Sequence, residues 1–291
     1  MAVPRIVRVL APNADVYTLD GTNTWVIGDD PSIVIDPGPQ IDTHLDEVSA
    51  AAGHVAAVLV THDHPDHAPA AAELAARAGA LVHAFRLDGA QHLHDGQVLR
   101  AGGVSLTAVH TPGHTGDHMA FFELGVGALF TGDAVVGRGT TFIDPPEGDL
   151  SQYLRSLDRM RGLGARTIYP GHGPVVFDAA AKLEEYMRHR ADRESQVLAA
   201  LAAGTGTIGA MVEEIYAGYP SDVRPLATRS VLAHLLKLEG EGRASRTGKG
   251  DDATWSARQP RTCERCGRRP AIGRTKLCGP CSLAILQETA E

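Results

Sequence analysis

The chain is 291 residues long, 43% hydrophobic and 21% charged, with a formal net charge of −8. This balance excludes global disorder and leaves room for two domains, or one with appendages. No run of about 18 apolar residues is present, so no membrane-spanning helix is expected. The N-terminal stretch MAVPRIVRVLAPNADVY puts polar residues where a signal peptide needs an apolar core, so a cytoplasmic location is expected.

In chain order, short apolar runs closed by Gly, Pro or Asp predict strands at Thr24–Ile27, Ser32–Asp36, Ala56–Thr61, Ala80–Ala84, Val104–His110, His118–Glu123 and Ala128–Thr131. Helices are predicted at Pro69–Ala78, with Gly79 as C-cap, and at Leu150–Gly162. Strands with interspersed helices suggest a layered α/β sandwich. A long helix is predicted over Ala179–Ala203, then shorter ones near Ile208–Tyr216 and Pro225–Leu238. The stretch Gly240–Ala257 reads as a short hairpin anchored by Trp255. Three helices and a ribbon are the pattern of a winged-helix module; a plain helical cap is the other reading.

Charge is uneven along the chain. Residues 243–291 hold ten Lys/Arg and five Asp/Glu, which leaves −13 on residues 1–242. A basic tail is either a solvated end or a surface for an anionic partner.

The segment His62-Asp63-His64-Pro65-Asp66-His67 follows the apolar run Ala56–Val60 and precedes a helix. Three histidines and two aspartates in six residues are poor core material, because buried polar groups need partners. At a strand end their side chains can converge, and imidazole with carboxylate suits Zn²⁺, with iron or manganese as alternatives. Three further strand-end loops carry His114, Asp133 and His172, each flanked by Gly or Pro, which let a ligand-bearing turn approach closely. His118, four residues after His114, is read as either an outer-layer residue or a buried strand histidine. Arg138, Thr140, Thr141 and Phe142 follow the Asp133 loop and are candidates, by position, for lining the cleft.

This order of motifs resembles the metallo-β-lactamase fold superfamily. The resemblance implies an αββα sandwich over about residues 1–200 and a winged-helix-like domain over 201–258; its typical pattern does not include the tail over 259–291. It implies that His62, His64 and His114 hold one metal, that Asp66, His67 and His172 hold the second, and that Asp133 bridges them. Two such metals would supply a bound hydroxide at neutral pH and stabilise the oxyanion, with Asp66 and Asp133 as catalytic groups steering the water's proton. No Cys lies in this region, and His64 stands where the diiron flavoprotein branch has Glu, so those branches are not matched. Leu19-Asp20-Gly21-Thr22-Asn23-Thr24-Trp25 and Ile33-Val34-Ile35-Asp36-Pro37-Gly38 resemble the lactamase-beta-like branch, which includes endoribonucleases acting on single-stranded RNA. RNA is therefore the first substrate expected, against the acidic charge of residues 1–242. A thioester hydrolase of the hydroxyacylglutathione-hydrolase type is the alternative. A nucleic-acid-binding regulator with a vestigial hydrolase domain is the non-enzymatic one.

The tail holds all four cysteines, Cys263-x₂-Cys266 and Cys278-x₂-Cys281, eleven residues apart. Their spacing reads as a closed, structural Cys₄ zinc knuckle, the third zinc of the chain, with disulfides as the alternative. Seven Lys/Arg surround it. They suit phosphate contacts, while a purely structural or protein-docking knuckle is the competing reading.

Overall fold

The computed structural model describes residues 4–250 and 253–258. By its internal contacts the chain forms two compact units. One takes the described residues up to Phe142 and Pro146–Arg188; the other takes Ile143–Pro145 and the described residues from His189 onward.

The first unit contains β1 (Ile6–Leu10), β2 (Asn23–Ile27), β3 (Ser32–Ile35), α1 (Asp42–Ala52), β4 (Val55–Leu59), α2 (Ala71–Ala78), β5 (Leu81–Ala84) and β6 (Gln91–His92). It continues with β7 (Val98–Ala101), β8 (Val104–His110), β9 (Met119–Glu123), β10 (Ala128–Gly132), α3 (Leu150–Gly162) and β11 (Thr167–Pro170). One sheet has the order β1-β2-β3-β4-β5-β6, the other β11-β10-β9-β8-β7. β3, β4 and β5 run parallel, as do β10 and β11.

Alternation along the strands builds the layers, because successive side chains leave a strand on opposite faces. Trp25, Ile27, Ile33, Ile35 and Leu59 meet Leu106, Met119, Phe121 and Phe130 between the two sheets. Their neighbours Val26, Val34 and Val58 turn the other way, against Leu45 and Val48 of α1 and Leu74 of α2. On the second sheet, Val109, Phe122 and Leu129 are buried on the face away from that inner core, and α3 adds the buried Tyr153, Leu157 and Met160. Two-sided burial explains why residues 25–27 and 33–35 are unbroken apolar runs rather than alternating ones. This is the expected αββα arrangement.

Helix α4 (Ala179–Ala202) belongs to both units. The second unit then has α5 (Ile208–Ile215), α6 (Arg224–Gly240) and the hairpin β12 (Ala244–Thr247) with β13 (Thr254–Ala257). Thr207 caps α5 through its hydroxyl, which accepts from Ala210 N–H. Trp255 is 3% exposed and packs in a core with Val197, Leu201, Met211, Val231 and Leu235. The helices and ribbon expected from the sequence are present. Among the described residues no helix is long and apolar enough to cross a membrane. The four cysteines, and the zinc knuckle read from them, lie outside the described residues.

Candidate metal centre

The expected donors are carried by loops that leave the ends of the strands. His62, His64, Asp66 and His67 follow β4, and His114 follows β8. Asp133 follows β10, and His172 follows β11. Parallel neighbours deliver these loops to the same edge: β3 beside β4, and β10 beside β11.

The structure brings all seven residues together in two groups. His62, His64, His114 and Asp133 can offer donor atoms within 4.8 Å of one another, and so can Asp66, His67 and His172. In the first group His62 Nε2 and His114 Nε2 lie 3.0 and 3.2 Å from His64 Nδ1. In the second, His172 Nε2 lies 3.3 Å from His67 Nε2 and 3.1 Å from Asp66 Oδ2. The Asp133 carboxylate stands between them. Its Oδ1 is 3.2 Å from His172 Nε2 and its Oδ2 is 3.7 Å from His114 Nε2.

Hydrogen bonds behind the rings decide which nitrogens face inward. Asp36 accepts from Thr61 N–H at 2.7 Å and from the Thr61 hydroxyl at 2.8 Å. With its proton so used, the Thr61 oxygen accepts from His62 Nδ1 at 2.9 Å. His67 Nδ1 donates to Asp36 Oδ2 at 2.9 Å, and His114 Nδ1 donates to the Phe142 carbonyl at 2.8 Å. His172 Nδ1 donates to the Gly21 carbonyl at 3.2 Å. Each outer nitrogen thus carries a hydrogen, so that in the neutral ring, the form that binds a metal, the inner Nε2 presents its lone pair. Lone pairs aimed at one another repel unless something positive lies between them. Buried Asp133 Oδ1, moreover, has no hydrogen-bond partner of proper geometry among the described residues. Histidines whose far nitrogens are tied to carboxylate and carbonyl oxygens are the usual holders of a divalent cation. The residues present therefore fit one.

Burial opposes charge on His67, but the carboxylates of Asp133, Asp66 and Asp36 outweigh it and hold the ring well above its ordinary range. His172 is likewise lifted against burial, by Asp133 and Asp66, to about 9. Asp133 and Asp66 are held well below the usual carboxylate range, burial being overcome by the facing histidines. In the first group burial prevails, and His62 and His114 are pushed down. Neutral rings are the form that binds a metal.

His118 is fully buried; its Nδ1 meets the Thr111 hydroxyl at 2.9 Å and its Nε2 accepts from Asp133 N–H at 3.2 Å. It therefore holds the Asp133 loop. Thr141 donates to the Asp133 carbonyl at 2.8 Å, and Arg138 forms an exposed ion pair with Asp20. Sequence reasoning misses four orienting groups. Asp36 reads there only as part of a motif, and it sits at φ +51°, an uncommon backbone for a residue other than glycine. Thr22 donates to Asp66 Oδ2 at 3.2 Å. The Phe142 and Gly21 carbonyls carry no residue-type signal at all.

The glycines beside the donors allow the close approach. A Cβ on Gly132, at φ +45°, would lie 2.6 Å from Thr61 Oγ1. On Gly171 it would lie 2.6 Å from Asp133 Oδ1. Next to the first group is a cavity of about 470 Å³ whose lining includes Asp63, Arg86, Asp88, Asp117 and Glu147. Glu147 Oε1 lies 3.7 Å from His64 Nε2.

Comparison with known proteins agrees with this geometry. Residues 17–172 match the family described as metallo-beta-lactamase superfamily, and residues 207–255 match the beta-lactamase associated winged helix domain. The chain is 35% identical over 270 residues to an atrochrysone carboxyl ACP thioesterase of Aspergillus chevalieri, covering 87% of this chain and 86% of that protein. It is 31% identical over 254 residues to the beta-lactamase-like protein 2 homolog of Caenorhabditis elegans, covering 81% and 85%. Among solved structures, a metallo-beta-lactamase family protein from Thermus thermophilus superposes with a TM-score of 0.71 at 24% identity, over 87% of this chain and 98% of that one. At that identity the likeness speaks for the fold.

Proposed function

The chain belongs to the metallo-beta-lactamase superfamily, with an associated winged helix domain, and from that premise we propose that this metal-dependent hydrolase cleaves acyl thioesters with two divalent cations, zinc by its donor set. The observation that carries the metal centre is the pair of donor groups with the Asp133 carboxylate between them. All seven residues expected from the sequence lie in it, which speaks against a vestigial domain.

Cations held there would acidify a water molecule and polarise the substrate carbonyl oxygen. His62, His64 and His114 would hold one cation and Asp66, His67 and His172 the other, with the Asp133 carboxylate available to both. Asp66, whose Oδ2 accepts from the Thr22 hydroxyl, would with Asp133 steer the attacking water's proton. Water adds to the carbonyl carbon, the C–S bond breaks, and acid and thiol leave. A thiolate departs with a pKa near ~8.5, so no protein acid has to protonate it.

Substrate chemistry separates the two enzymatic readings. The cavity lining holds four carboxylates and one guanidinium, a poor reception for an RNA backbone. A relative covering most of the chain is named a thioesterase. Both observations favour the thioester over the RNA expected first. The test is the zinc-loaded full chain against a thioester panel and labelled single-stranded RNA. Thioester cleavage without RNA cleavage is expected; the reverse overturns the reading. For the tail, the proposed Cys₄ site at Cys263, Cys266, Cys278 and Cys281 predicts about three zinc per chain, falling to about two on truncation after Ala257.

A further inference from the structure

Val16 and Tyr17 are 69% and 62% exposed, yet the loop that carries them is built into the metal centre. At its base Asn13 Oδ1 accepts from Thr22 N–H and Asn13 Nδ2 donates to Thr22 Oγ1, both at 2.9 Å. Thr22 in turn holds Asp66, and the Gly21 carbonyl holds His172. At the loop's tip the Tyr17 ring lies 6.2 Å from that of Phe142, tilted by 47°. Phe142 is the residue whose carbonyl orients His114. One loop therefore reaches from the second donor group to the edge of the first and ends there in an exposed aromatic face. The donors with side-chain surface left open include His64, Asp66, Asp133 and His114, the last of them bonded to Phe142.

We infer that the Tyr17–Phe142 pair is the wall that receives the acyl group of the substrate, and that this group is flat and aromatic. Two tilted aromatic faces beside a reacting centre favour a ring that can stack on one and meet the edge of the other. The neighbouring cavity, lined by Asp63, Asp117 and Glu147, is the poorer host for an aryl group and suits the polar thiol portion. The assignment takes its chemistry from the thioester reading, but the aryl-binding wall itself does not depend on catalysis.

Two measurements on the zinc-loaded full chain separate these. The first is the affinity for 2-naphthoate against acetate, as free acids, by calorimetry. The second is kcat/KM for 2-naphthoyl against acetyl thioesters of N-acetylcysteamine. The wild type is expected to favour naphthoyl in both. Tyr17→Ala should cut the naphthoyl-to-acetyl ratio about fivefold, with zinc content as a check on folding, and Tyr17→Phe should retain it. A Tyr17→Ala variant that lowers both ligands equally, or leaves the ratio unmoved, overturns the inference while the thioester reading stands. If no thioester is cleaved but naphthoate binding still depends on the Tyr17 ring, the thioester reading falls and the aryl wall stands.

Discussion

His67 and His234 are both fully buried, one in a loop of the first unit and one on a helix of the second. Their surroundings are opposite. His67 faces Asp36, Asp66 and Asp133, with its Nδ1 tied to Asp36. His234 has no hydrogen-bond partner at either ring nitrogen among the described residues. Burial pushes its ring well below the ordinary range, and Arg190, Lys237 and Arg193 push it further. The difference teaches how to sort buried histidines. Carboxylates aimed at one nitrogen and a lone pair aimed at other donors make a site that takes a cation. Cationic neighbours make a ring that stays neutral and serves as packing.

The contrast can be broken most forcefully at its centre. Asp133→Ala removes the carboxylate shared by both donor groups, and hydrolysis should fall by on the order of 10³-fold, as for loss of a main electrostatic group. Metal analysis should show binding lost from both groups; a variant that keeps two metals and full activity would take Asp133 out of the centre. A smaller effect is expected one layer out. Asp36→Ala leaves all seven donors in place but frees His67 and Thr61, and metal affinity should drop roughly 10–100-fold. Competition with a chelator measures it, and unchanged affinity would mean that the His67 ring needs no orienting partner.

The smallest effect tests the other region. The folded pKa of His234 lies below its unfolded value near ~6.5, so the unfolded chain binds more protons in the interval between the two. The stabilising contribution is complete above pH ~6.5 and is lost as pH falls below it, by up to about 1.4 kcal/mol per pH unit. Urea unfolding at pH 8, 6.5 and 5.5 should show this slope, and His234→Leu should flatten it. Equal slopes in both proteins would assign the acid sensitivity to another group.

The sequence made the donors legible because they are concentrated. His62, His64, Asp66 and His67 occupy six residues after an apolar run, and the other three sit beside Gly or Pro at strand ends. The inner strands were readable for the same reason, as unbroken apolar runs buried on both faces. β1, β7 and α1 were not, since Arg8, Arg100 and His44 interrupt their apolar patterns. The orienting groups were hidden by distance and by type. His172 donates to a carbonyl 151 residues earlier in the chain, and His114 to one 28 residues later. A backbone oxygen leaves no mark in a residue pattern, and Asp36 becomes visible only when β3 and β4 lie side by side.

Gly171 stands next to His172, where an added Cβ would come within 2.6 Å of Asp133 Oδ1 and 2.8 Å of the His67 ring. A single methyl group there would crowd apart the two halves of the centre while leaving every donor residue unchanged. A descendant of this protein could thus fall silent through one alanine codon, and a survey that counts only histidines and aspartates would still score it as whole.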